Sequence, residues 1–294
     1  MQKRLMMTAM LLTATTTNWL GAQEQKPATL PPVVVTEPKP LLEETAVGPN
    51  AQPRWTTSGR LTPNTRAYVL PPWKVEFAQW WKADWPRDGK ARHRFQEEIE
   101  IGLPHRFQLD LYENWQRGRD GEVRHTGAQV ELRYALADWG KIPLNPTLYA
   151  EWKFNEEEAD AIELKLLLTE ELAPRWHWGF NATWEQQVGD SRETEWAASQ
   201  GVTYTLIDDK LSAGLEMVFE HASEKGSRSN PGVEFLIGPS VVWQICPRTR
   251  FSVVSLFGAT DDSPEFMTIA NFSIAFGGGA DEKGGPAPIS IKSK

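Results

Sequence analysis

Ionisable side chains fall at alternate positions through the middle of this 294-residue chain, and their spacing is the first clue to its chemistry. Glu76, Glu98, Glu100, Asp110, Glu131, Arg133, Glu151, Lys153, Glu163, Lys165, His177, Glu185 and Glu216 each occupy the polar parity of an alternating segment. Side chains two residues apart on a strand share a face, so these groups would all project to one side. With Asp84, Glu195, Glu220, Glu234, Lys74, Lys82 and Arg94 added, acids outnumber bases about two to one. If they line a passage, its negative potential prefers cations and cationic solutes. If they pair across an interior, they fill it with a polar network that passes nothing. Both readings stay open on sequence. His221-Ala222-Ser223 puts a candidate base and a candidate nucleophile on one face of a segment end, but no pattern marks a third group to orient the histidine. The run Glu156-Glu157-Glu158-Ala159-Asp160 offers hard oxygen donors for weak Ca²⁺ or Mg²⁺ binding, or a solvated loop tip. There is no HExxH, no Cys/His cluster and no spaced His pair on one segment, so no metal centre is expected and His177 reads as a hydrogen-bonded interior residue. Gly-rich phosphate loops and nucleotide fingerprints are absent, so no cofactor is expected.

Period-two alternation over segments of about ten residues, broken by turn residues, is the signature of strands. Twelve segments carry it: Trp73 to Trp85, His93 to Leu103, Phe107 to Gln116, Thr126 to Leu136, Thr147 to Phe154, Ala161 to Thr169, Trp176 to Gln186, Thr194 to Thr205, Leu211 to Glu220, Gly232 to Ile245, Phe251 to Gly258 and Phe266 to Phe276. In each, the second parity is apolar and rich in rings, as in Trp176, Trp178, Phe180, Ala182 and Trp184. A soluble sandwich alternates too. Three observations favour a single antiparallel up-and-down transmembrane β-barrel instead. Segments of about ten residues match the 9–11 that cross a membrane at a tilt and exceed the usual strand. Trp recurs near segment ends (Trp73, Trp85, Trp115, Trp152, Trp176, Trp184), where an indole anchors at the headgroup level. Connections also alternate between polar loops, such as Arg117 to His125 and His221 to Pro231, and tight turns, such as Pro104-His105-Arg106 and Ile207 to Lys210. An even strand number puts both chain ends on one side. Pro239, lacking an amide donor, demands an edge or a bulge in its segment and leaves the count between ten and fourteen.

Composition narrows the alternatives. A net charge of −8 with pI near 5.3 excludes nucleic acid as a partner, because phosphate affinity needs clustered Lys and Arg. One Cys, Cys246, excludes internal disulfides and zinc-finger arrays. Beyond the first twenty-odd residues no run approaches the roughly 18 apolar residues of a membrane helix. Residues 1–22 read as an export signal, with Lys3 and Arg4 ahead of an apolar stretch and Leu20-Gly21-Ala22 as the cleavage site. Residues 23–72, with Pro27, Pro31, Pro32, Pro38, Pro40, Pro49, Pro53, Pro63, Pro71 and Pro72, read as an extended, disordered periplasmic arm, since such a segment buries too little apolar surface to offset its ordering entropy. Residues 73–276 are the barrel, and 277–294 a flexible tail.

Local resemblances agree. Asn271-Phe272-Ser273-Ile274-Ala275-Phe276 resembles the terminal β-signal of outer-membrane proteins, which implies that Phe272 and Phe276 engage the barrel-insertion machinery; eighteen residues follow, where the family normally ends on Phe. Gly238-Pro239-Ser240, Leu256-Phe257-Gly258 and Asp261-Asp262-Ser263-Pro264 resemble the closing region of small outer-membrane transporters of the phenol-degradation-pathway type. Val33-Val34-Val35-Thr36-Glu37 resembles the N-terminal box of TonB-dependent receptors, but the chain has no room for their plug domain and longer barrel. His221-Ala222-Ser223 resembles part of the His-x-Ser-Asn-Gly motif of the outer-membrane phospholipase family, with Glu224 and Lys225 in place of Asn and Gly. The expectation is a Gram-negative outer-membrane barrel, in contact with membrane lipid, that passes small solutes with a mild cation preference and is not an enzyme. The alternatives are a plugged structural or adhesive barrel and, less favoured, a lipid-directed hydrolase using His221 and Ser223.

Overall fold

The computed structural model describes residues 41–277 other than 88, 119, 190–192, 227, 229 and 230. The signal segment 1–22, residues 23–40 with the Val33–Glu37 box, and the tail beyond Gly277 lie outside the described residues.

A two-residue pair, β1 (Ala46–Val47) and β2 (Gln52–Pro53), precedes twelve long strands. These are β3 (Lys74–Trp85), β4 (Arg92–Leu103), β5 (Phe107–Arg117), β6 (Val123–Ala135), β7 (Thr147–Asn155), β8 (Ala161–Ala173), β9 (Trp176–Gln187), β10 (Glu193–Ile207), β11 (Leu211–Glu224), β12 (Gly232–Cys246), β13 (Thr249–Gly258) and β14 (Phe266–Gly277). Each pairs antiparallel with its neighbours in sequence, and β14 returns to β3 with Phe266 opposite Trp85 and Gly277 opposite Lys74, closing the barrel. Closure removes every edge and so satisfies the backbone without water, which is what a hydrocarbon environment requires.

The pleat sorts the two parities. Outward go Phe77, Trp81, Ile99, Leu111, Leu132, Trp152, Leu164, Trp196, Phe219, Trp243, Phe257 and Phe272, all more than a third exposed. A belt of rings and branched aliphatics around the whole circumference is a surface for lipid. Connections at one end, 104–106, 174–175, 208–210 and 247–248, have two or three residues, with 136–146 the exception; those at the other end have five to seven. Short turns mark the periplasmic end of such barrels.

Irregularities gather near strand ends, with register shifts at Asn114/Trp115, Glu171/Ala173, Thr205/Ile207 and Gln244/Cys246. Pro239 needs neither an edge nor a bulge. The β12–β13 ladder runs through Ile237↔Phe257, skips Gly238 and Pro239, and resumes at Ser240↔Val254 without a shift, while Pro239 still pairs with Leu215 on β11. A proline can sit inside a closed sheet where the ladder on one side is interrupted.

Inside, the wall has two characters. Ala78 and Trp80 of β3 meet Val218, Leu236, Val254, Leu256, Met267 and Ile269 of β11–β14 in one buried apolar cluster. From β4 to β10 most inward positions are polar or charged, with Ala135, Ala161 and Leu167 as apolar exceptions. The disordered arm expected for residues 23–72 does not hold for residues 41–72. Gln52, Thr56, Thr62, Thr65, Ala67, Tyr68, Val69 and Leu70 are wholly inaccessible, because this segment turns back into the barrel. Its ordering is offset by hydrogen bonds and ion pairs with a polar wall, a term that apolar composition does not register.

Candidate functional site

The segment enters at the short-turn mouth and is fastened there first. Asp208, in the β10–β11 turn, accepts from the Leu42 amide at 2.8 Å and the Glu43 amide at 3.1 Å, and Asp209 takes the Arg54 guanidinium at 2.8 Å. The Arg175 amide donates to Glu44 Oε1 at 3.0 Å, and the Trp139 amide donates to the Asn50 carbonyl at 3.0 Å. Trp139 receives Trp55 and Tyr68 edge-on, at 5.6 and 5.4 Å between ring centroids. Burial pushes the Glu43 carboxyl up to about 7, against a hydrogen bond from Thr205 that lowers it.

Past this mouth, residues 57–70 double back as a hairpin. Leu61 donates to the Thr65 carbonyl and Ala67 to the Gly59 carbonyl, both at 2.9 Å, and Arg60 bridges Arg66, so Pro63 and Asn64 form the tip. Gly59 takes φ of +66°, and a Cβ there would lie 3.0 Å from Arg133 Nη1, so only glycine suits the position. The wall supplies partners for hairpin groups that have none in their own strand. Asn181 accepts from the Arg66 amide (2.8 Å) and donates to the Arg66 carbonyl (3.0 Å). Gln108 Oε1 accepts from the Leu70 amide at 2.7 Å, and Thr169 donates to the Ala67 carbonyl at 2.7 Å. Glu216 accepts from Thr62, from Thr65 Oγ1 at 2.7 Å and from the Asn64 amide at 3.1 Å.

Two hairpin arginines answer the acidic excess of the wall. Arg60 pairs with Glu98 and, at 3.3 Å, with Glu100, and its guanidinium lies 4.3 Å from the Trp80 ring centroid. Arg66 reaches Glu98 at 3.3 Å and Glu131 at 3.2 Å and donates to Tyr112 Oη. Burial alone would lower the Arg66 pKa, but Glu131, Tyr112 and Glu98 together raise it well above its ordinary value, so it stays charged. Arg133, on the wall, adds Asp110 at 2.6 Å and Glu131. Each carboxylate here is held by at least one guanidinium, the condition under which buried charge is tolerated.

At this level all twelve strands contribute an inward side chain no more than 7% exposed: Ala78, Glu98, Asp110, Glu131, Tyr149, Leu167, Asn181, Ser199, Glu216, Ser240, Ser252 and Asn271. Water reaches almost none of this ring, so the hairpin divides the lumen into two. Toward the long loops lies a polar chamber of about 400 Å³ lined among others by Lys82, Arg94, Gln96, Lys153, Glu163, Glu185 and Glu195. Its wall is stitched by Lys153 to Glu163 (2.9 Å) and Glu185 (2.6 Å), and by Lys165 to Glu163 (2.5 Å). Toward the short turns lies a smaller cavity of about 120 Å³ lined among others by Glu43, Trp55, Arg60 and His177.

All thirteen interior positions read from sequence occupy the inward parity, but not one site. Glu98, Glu100, Asp110, Glu131 and Arg133 form the central network with the hairpin, and Glu216 holds its tip. Glu151, Lys153, Glu163, Lys165 and Glu185 line the outer chamber. Glu76 and His177 line the inner cavity. His177 departs from expectation. Its Nε2 is buried without a hydrogen-bond partner, and its ring stacks on Trp55 at 4.3 Å. His221 and Ser223 share the outward face of β11, but Ser223 Oγ donates to the Thr194 carbonyl at 3.4 Å, and no hydrogen bond joins the two among the described residues. In the acidic loop, Glu156 pairs with His125 at 2.6 Å and Asp160 accepts from Asn155 and Trp152, whereas Glu157 and Glu158 are exposed. Phe272 and Phe276 lie on the outward face of β14. Sequence reasoning missed Arg60 and Arg66. The signal that could have found them is the two-to-one acid excess itself, which called for guanidiniums from outside the strands.

No protein-family model matches the chain, and no curated protein does. Among solved structures it is similar to an outer membrane channel from Pseudomonas putida F1, at TM-score 0.53 and 10% identity over 71% of this chain and 97% of that one. It is also similar to the NanC porin, at TM-score 0.48 and 10% identity over 69% of this chain and 99% of that one. Likeness at this identity is one of architecture: the chain has the fold of outer-membrane β-barrels.

Proposed function

We propose that the protein is an outer-membrane channel for small solutes, held closed by its own residues 41–72. The supporting observation is the sealed ring of twelve inward side chains around a hairpin that is not part of the wall. A barrel needs no such insert to complete its backbone pairing, and the outer chamber leads only as far as the hairpin tip. Passage follows when the hairpin withdraws toward the short-turn mouth. The emptied lumen prefers cations, because Glu98, Glu100, Asp110 and Glu131 are then faced by Arg133 without Arg60 or Arg66. Export by residues 1–22, and insertion guided by Phe272 and Phe276, belong to the same proposal.

The test compares the full chain with a variant lacking residues 41–70 in planar bilayers. The full chain is expected to give rare steps and the deletion steady ones, with a reversal potential displaced toward the cation. A folded deletion variant that conducts nothing refutes the channel. A full chain that never opens while the deletion conducts would instead favour the second reading, a permanently filled structural barrel, which the ion pairs of the central network also support. For the hydrolase reading the geometry offers no base joined to a nucleophile.

A further inference from the structure

Several buried polar atoms of the interior lack a hydrogen-bond partner, Trp55 Nε1, Arg60 Nε and Glu100 Oε1 among them, and two at the short-turn mouth face one another. Glu43 Oε1 and His177 Nε2 are both buried, both lack a hydrogen-bond partner, and face each other across 4.0 Å. Their residues are 3% and 2% exposed. Glu44 joins the group, one donor atom from each of Glu43, Glu44 and His177 lying within 4.8 Å of the others. The comparison inside the same barrel is instructive. Glu98, Asp110 and Glu131 also converge, but guanidiniums of Arg60, Arg66 and Arg133 occupy the space between them. Among the described residues, no such guanidinium pair is seen at Glu43 Oε1 and His177 Nε2.

We propose that Glu43, Glu44 and His177 form a divalent metal site, zinc by its donor set, that fastens residues 41–56 to β9. Zinc binds imidazole nitrogen and carboxylate oxygen at about 2.0–2.2 Å. Tetrahedral donors at that length stand about 3.4 Å apart, so the pair 4.0 Å apart needs roughly half an ångström of inward adjustment to share one ion, and the Glu44 oxygen more. One imidazole with two carboxylates disfavours Ca²⁺ and Mg²⁺, which take oxygen alone. Trp55 stacked at 4.3 Å fixes the ring plane of His177, and the adjoining cavity of about 120 Å³ gives the ion its route and leaves a fourth position to water. The two carboxylates come from the inserted segment and the imidazole from the wall, so the ion would bridge them. That it would also hold the channel shut rests on the function proposed above; the site itself does not.

The experiment is calorimetric titration of full-length detergent-extracted protein, stripped of metal, with Zn²⁺ alone, alongside Glu43→Gln and His177→Phe. The phenylalanine keeps the stack on Trp55, and Glu43→Gln leaves the barrel wall untouched; heat-modifiable gel migration confirms that each variant is folded. One saturable equivalent is expected for wild type, with affinity lower by a factor of about 100 in each variant. X-ray absorption at the zinc edge is expected to show one imidazole and oxygen neighbours. Absence of saturable binding in wild type, binding as tight as wild type in either variant, or a sulfur neighbour from Cys246 overturns the site. If zinc binds as described yet does not lower the opening rate in bilayers, the site stands and its link to closure falls.

Discussion

Arg66→Ala is the most direct challenge to a lumen closed by its own chain. The guanidinium spans Glu98 at 3.3 Å and Glu131 at 3.2 Å and donates to Tyr112 Oη, with its side chain 9% exposed. Removing one partner from a buried pair costs about 3–5 kcal/mol. Here Glu98 keeps Arg60 and Glu131 keeps Arg133, so the lower end, about 3 kcal/mol, applies. These contacts exist only with the hairpin inserted, so the loss falls on the closed state. At about 1.4 kcal/mol per factor of ten, the open fraction should rise on the order of a hundredfold. Single-channel recording at fixed voltage reads it directly, and Arg66→Lys, which keeps the charge but loses the forked geometry, should fall between the two. If folded Arg66→Ala barrels open no more often than wild type, the hairpin is not the gate.

Gly102→Val should unseat the base of the hairpin, since even a Cβ at Gly102 would come within 2.0 Å of the Pro71 carbonyl oxygen; more frequent opening with unchanged heat-modifiable migration checks it. Asp208→Ala leaves the Leu42 and Glu43 amides without their acceptor and should speed hydrogen exchange at those two amides while leaving the barrel strands protected. Phe272→Lys places a charge on the outward face of β14 and should lower folding stability in lipid by about 2–4 kcal/mol; a variant as stable in lipid as wild type would mean the face is misassigned.

The barrel was legible in the sequence because its signal is local. Alternation assigns each residue a face without knowledge of its neighbours, so Glu98 and Glu100 read as inward and Phe77 and Trp81 as outward, and twelve segments emerge with ends a residue or a few off. What the hairpin does is not local. Pro63, Asn64 and Gly59 look like linker residues, and the seats of their hairpin lie on β4, β5, β8, β9 and β11, more than a hundred residues away in several cases. Composition weighs apolar burial, and this segment is held by Gln108, Asn181 and Glu216 instead. The short run Ala67-Tyr68-Val69-Leu70, fully buried, was the one apolar hint of an inserted segment. The isolated pair Glu43 and His177 was invisible for the same reason, being 134 positions apart in the chain and joined only by the fold.

Trp73 passes directly into β3, with the Trp73 amide bonded to the Gly102 carbonyl at 2.7 Å, so no slack separates the insert from the wall. If the insert is the gate proposed above, a stopper on so short a leash returns by a first-order step. Its effective concentration at the seat is in the millimolar range, and reclosure is indifferent to how densely the barrels crowd a membrane. A free peptide spanning residues 57–70 would have to be supplied at comparable concentration to silence barrels from which that stretch has been cut.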